Sequence, residues 1–177
     1  MTISATLRDE VRRRAGFACE YCGVTETEAG AELTIDHFLP TSKGGADTPN
    51  NLVYCCARCN EYKQDYAPET ASDPVLWNPR LEPASRHLIE AEDGLLYPLT
   101  EIGAFTIQRL RLNRPALVAR RLQRRQEHDA LVWLARYRDI LQVLERLAQQ
   151  QAELIAEQQA LLAEQRELLR LLVSRLT

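Results

Sequence analysis

The sequence predicts an α+β protein: a small core closed by two cysteine turns, an irregular extension wrapped around it, and a long C-terminal helix. Three observations carry that prediction. Cys19-x-x-Cys22 and Cys56-x-x-Cys59 are separated by 33 residues that hold two short apolar runs. The stretch that follows is punctuated by Pro68, Pro74, Pro79, Pro83 and Pro98 and shows little periodicity. From Pro115 to Thr177 there is neither glycine nor a further proline, so nothing in the sequence breaks a helix there. The expected divisions are residues 1–68, 69–114 and 115–177.

The 177 residues, 45% of them hydrophobic, suit one compact domain plus an appendage and can bury only a modest core. No apolar run approaches the roughly 18 residues of a membrane span. Met1-Thr2-Ile3-Ser4 lacks the apolar segment of a secretion signal. A soluble, cytoplasmic protein is therefore expected. Without such a signal, an odd set of five cysteines argues for metal ligands rather than disulfides.

Taken in order, Ser4 to Ala15 reads as a helix, with Ser4 or Thr6 as cap and Gly16 as stop. Glu32 to Phe38 alternates polar and apolar residues as a short strand does, and Leu52 to Tyr54 is a second candidate. Between them, Lys43-Gly44-Gly45 and Pro49 are loop chemistry. Cys56 to Gln64 resembles the first turns of a helix. In the extension only Asp93-Gly94, flanked by apolar residues, signals a hairpin. Pro115 is well placed to open the last helix, which would run roughly 90 Å if unbroken.

The distal part of that helix repeats Leu147, Leu154, Leu161 and Leu168 every seven residues, with Gln151, Gln158 and Gln165 between them. A leucine seam with glutamine layers is a coiled-coil pattern. It favours a homodimer or other oligomer over a helix folded back on its own domain, and a separate protein partner is the other occupant it would accept. A net charge of −3 is no obvious match for nucleic acid, but Ile102 to Gln126 contains seven arginines and no acid. Of these, Arg120 and Arg124 share one helix face, as do Arg121 and Arg125. They are candidate phosphate contacts, weighed evenly against a merely solvated face.

Each cysteine turn can aim two thiolates at one point, and two such turns complete a tetrahedral sulfur cage for Zn²⁺. Four thiolates close the coordination sphere, so this zinc is expected to be structural. Cys55-x-x-x-Cys59 is a workable spacing too. Cys56 is preferred, with Cys55 pointing into the core. Inside the loop that the staple closes lie Asp36-His37 and Asn51, and Asn60 directly follows a cysteine ligand.

Val11-Arg12-Arg13-Arg14-Ala15-Gly16, Cys19-Glu20-Tyr21-Cys22-Gly23, Ile35-Asp36-His37-Phe38-x-Pro40, Lys43-Gly44-Gly45, Asn51-Leu52 and Cys56-x-x-Cys59-Asn60-x-x-Lys63 together resemble the HNH endonuclease family. The match spans residues 11 to 63, about a third of the chain. Leu76-Trp77-Asn78-Pro79-Arg80 and Leu112-Asn113-Arg114-Pro115 more loosely resemble a bacterial subgroup of that family. The resemblance implies a ββα-metal fold that cuts DNA, with His37 as general base and Asp36 as ligand of a catalytic divalent ion. It further implies that Asn51 holds the loop and orients the histidine, and that Asn60 supplies a second metal ligand. Lys63 stands where the family motif usually has a lysine and is a candidate phosphate contact, against the alternative of a solvated helix lysine. Oxygen donors suit Mg²⁺ or Mn²⁺. The products implied are 5′-phosphate and 3′-hydroxyl ends. Two rival readings are a non-catalytic zinc module that binds nucleic acid and an adaptor whose coil recruits a partner.

Overall fold

The computed structural model describes residues 3–176 and divides into two compact units, Met1–Arg124 and Arg125–Thr177. In the first unit, α1 (Ala5–Arg14) begins where the Leu7 amide donates to the Ser4 hydroxyl. It buries Val11 completely. At its end Gly16 and Phe17 both take positive φ, which turns the chain into the first cysteine hairpin. A one-turn helix, α2 (Glu26–Ala29), follows under a reciprocal Thr25–Glu28 capping box.

β1 (Thr34–His37) and β2 (Leu52–Cys55) pair antiparallel, with Asp36 opposite Val53 and His37 opposite Leu52. All four residues of β2 are buried, so this short strand is the spine of the core. The Arg14 guanidinium donates to the Pro49 and Leu52 carbonyls and ties α1 to the strand's start. At mid-strand, Glu20 from the cysteine turn accepts the Tyr54 amide at 2.8 Å and pairs with Arg80 of the extension. α3 (Ala57–Lys63) leaves directly from β2 with Cys56 at its cap. The hairpin-then-helix order expected of the core is present.

The extension is more regular than its prolines suggest. β3 (Leu88–Glu90) and β4 (Leu96–Pro98) form the hairpin signalled by Asp93-Gly94. α4 (Glu101–Arg109), absent from the sequence reading, follows with Thr100 as its cap. Its pattern is hidden by Ile102, Thr106, Ile107 and a central glycine, all weak helix formers. Tertiary packing explains that glycine, because a Cβ at Gly103 would lie 2.1 Å from the His87 carbonyl oxygen. Trp77 is buried edge-on to Tyr21, and its amide donates to Thr106. His87, also buried, bonds Thr100 and Glu82.

α5 (Pro115–Leu176) is continuous. Within Arg125–Thr177, Leu147, Leu154, Leu161 and Leu168 are each at least half exposed, as are Trp133 and Tyr137. No helix among the described residues is long and apolar enough to cross a membrane. The architecture is α+β: mixed helices and two small antiparallel sheets, with a long C-terminal helix.

Candidate metal cage and active site

Each cysteine hairpin is shaped by its backbone. The Gly23 amide donates to the Cys19 carbonyl, and Gly23 itself sits at φ +73°, where a side chain would be strained. The second pair is set by the transition from β2 to α3: Cys56 caps the helix and Cys59 lies in its first turn, completely buried. Together they bring the sulfurs of Cys19, Cys22, Cys56 and Cys59 within 4.8 Å of one another. Cys55 faces the other way, beside Thr34, where burial first and the Asp36 charge second push its thiol up to about 12.

Four sulfurs this close cannot all ionise without a cation. The neighbouring sulfurs and burial push the Cys19 and Cys59 thiols up, while Cys22 and Cys56, which accept from them, are held down. A soft divalent ion removes that conflict, because each thiolate then has a positive partner. The donor set therefore fits a metal ion. Arg114, which the sequence offered only as one of a basic run, adds a second positive charge. Its Nη2 lies 4.0 Å from both Cys56 Sγ and Cys59 Sγ.

The other constellation sits at the end of β1 against α3. Lys63, wholly buried, donates to the His37 carbonyl at 2.7 Å and ion-pairs with Asp36 Oδ2 at 2.8 Å. Its expected place as a phosphate contact is corrected here: the ammonium is fully engaged inside the protein and joins α3 to β1. Asn60 lies one turn earlier on α3 and so on the same side of that helix. Burial pushes the Asp36 carboxyl above its ordinary range despite the opposing pull of Lys63, whose ammonium is the ion-pair partner of Oδ2. Asp36 and Asn60 are oxygen-bearing side chains on β1 and α3, the elements that Lys63 joins, and oxygen is the donor type that suits a hard divalent ion.

His37 ends β1 with its ring partly exposed. Its Nε2 lies 2.6 Å from Asp47 Oδ1. Asn51 directs its side-chain hydrogen bonds to the loop backbone. Both of its amide protons go to carbonyls, Leu39 and Ala46, and its Oδ1 accepts the Leu39 amide. These bonds tie the loop to itself, and the hydrogen-bond partner of the His37 ring is Asp47. The Gly44-Gly45 pair permits this arrangement. Gly44 adopts φ +87°, and a Cβ at Gly45 would lie 1.7 Å from the Leu39 carbonyl oxygen. Gly-Gly-x-Asp ahead of Asn51 was the available signal for Asp47 in the sequence.

The arginines of α5 serve the fold. Arg121, expected on a DNA-facing surface, is buried and donates to the Gly94 and Leu112 carbonyls. Arg120 clasps Glu28 at 2.7 Å and the Gly23 carbonyl, bracing the first cysteine hairpin. Arg124 pairs with Glu90 at 3.2 Å from an exposed position, and Arg125 is exposed at the start of the second unit. The basic run is thus divided by burial rather than presented as one surface, because the carbonyls at the hairpin and cysteine turn need donors.

Residues 19–76 match the family model described as HNH endonuclease. No curated protein and no solved structure gives a significant match.

Proposed function

We propose that this chain, whose residues 19–76 match the HNH endonuclease family model, is a metal-dependent endonuclease hydrolysing DNA phosphodiester bonds. The observation that carries the reading is the juxtaposition at the end of β1. His37 presents a partly exposed, carboxylate-anchored imidazole next to Asp36, whose largely buried carboxylate is held by Lys63.

Cys19, Cys22, Cys56 and Cys59 would hold a structural Zn²⁺, fixing β2 and α3 against the first hairpin. Asp36 and Asn60 are the residues that would hold a catalytic Mg²⁺ or Mn²⁺. When bound, such an ion neutralises charge developing on the scissile phosphate and on the departing 3′ oxygen. His37 takes the proton of the attacking water as the water's oxygen bonds to phosphorus, and the 3′ oxygen leaves with the electrons of the broken bond. Neutral imidazole is a suitable base for that step near neutral pH. Asn51 keeps the loop closed, and buried Lys63 anchors Asp36 and the His37 backbone. Arg124 and Arg125, both exposed on α5, remain candidates for backbone contact.

The leucine stripe of the distal helix supports self-association through a coiled coil, since a second copy would cover Leu147, Leu154, Leu161 and Leu168 and pair the glutamine layers.

The enzyme reading is tested on supercoiled plasmid. With Mg²⁺ or Mn²⁺ the protein is expected to nick or linearise it, with EDTA to leave it intact. DNA ligase should reseal the nicks without prior end repair, because 5′-phosphate and 3′-hydroxyl ends are left. Intact plasmid with both ions would leave the non-catalytic zinc module as the reading.

A further inference from the structure

The geometry points to Asp47 as the residue that sets the tautomer and direction of the His37 imidazole, a positioning role that rests on the reading of His37 as the base. Asp47 Oδ1 lies 2.6 Å from Nε2, and an ionised carboxylate can only accept, so the ring proton resides on Nε2. The lone pair on Nδ1 is then the one available for a proton from water. Once Nδ1 is protonated, the carboxylate faces the imidazolium charge directly.

Stability alone does not account for this contact. Both side chains are partly exposed, about a fifth for His37 and a third for Asp47, and ion pairs of that kind contribute little to folding. The loop nevertheless fixes Asp47 on both sides. Ala46 O, just before it, accepts from Asn51 Nδ2 at 3.0 Å and from the Thr48 amide at 2.9 Å. Thr48 O, just after it, accepts the Asn51 and Leu52 amides. Asn51 therefore braces the loop segment that carries Asp47. A carboxylate held this firmly against one ring nitrogen is a preorganised orienting group.

Two measurements test the assignment, and they fail separately. In zinc-loaded, ¹⁵N-labelled protein at pH 8, long-range ¹H–¹⁵N spectra should show His37 protonated at Nε2 and bare at Nδ1, its signals identified by their loss in His37→Ala. This needs no catalysis, so it stands even if the nuclease reading falls. In plasmid cleavage, Asp47→Asn should lower kcat at least about a hundredfold with KM for DNA and zinc content unchanged. An amide can turn its NH₂ toward Nε2 and stabilise the wrong tautomer, which withdraws the base itself. Asp47→Ala, which imposes neither tautomer, should lose only roughly tenfold. A wild-type imidazole protonated at Nδ1, or an Asp47→Asn enzyme within threefold of wild type, overturns the proposal.

Discussion

His37→Ala is expected to lower the rate of DNA cleavage at least about a hundredfold, the usual scale for removing a positioned general base. The residue closes β1 opposite Leu52, and its ring reaches outward to Asp47 rather than into the core. What Lys63 holds is the His37 carbonyl, which the alanine variant retains. The variant should therefore keep its zinc, its thermal midpoint and its affinity for DNA while losing kcat. Single-turnover cleavage, read with melting curves on the same preparation, separates these effects. Loss of melting stability in parallel with rate would recast His37 as a structural residue.

Removing the zinc should have the largest effect of all on stability. The cage joins short segments, namely the first cysteine hairpin, a two-stranded sheet and a seven-residue helix. Structural zinc sites of this kind supply about 10–16 kcal/mol of apparent binding free energy. That is as large as the 5–15 kcal/mol by which a typical domain is stable. A chelator strong enough to strip the ion, or Cys59→Ser, should abolish the cooperative melting of the first unit. Without the ion the clustered thiols cannot all ionise, and hydrogen bonding among them and burial hold Cys19 and Cys59 in the protonated form. Circular dichroism melts with zinc quantified in parallel provide the check. An unchanged midpoint in zinc-free protein would mean that the fold needs no staple.

Much of this was legible in the sequence where the physics is local. Ser4 before α1, the alternation around Ile35 and Asp36, the Asp93-Gly94 turn and the glycine-free run after Pro115 each mark their own element. Cysteine spacing exposed the cage because chelation geometry demands close pairs. The missed features are pairings across long separations, which no periodicity encodes. Gly103 looks like a helix breaker until the His87 carbonyl is packed on it. Arg121 and Lys63 look like surface charges until the Gly94 and Leu112 carbonyls and Asp36 receive them in the interior. Arg114 gained its place beside Cys56 and Cys59 in the same way. Asp47 and His37 meet because two glycines let the loop fold tightly, a constraint that belongs to the backbone rather than to either side chain.

Cleavage rate measured against Mn²⁺ concentration, for wild type and Asp36→Asn at equal zinc content, bears most directly on the idea that a carboxylate, an imidazole and a divalent ion act on one phosphate. Wild type should be inert in EDTA and saturate with Mn²⁺, whereas Asp36→Asn should need at least about tenfold more ion to reach half its own maximal rate. Cutting that survives EDTA, or one half-saturation value shared by both proteins, would contradict it.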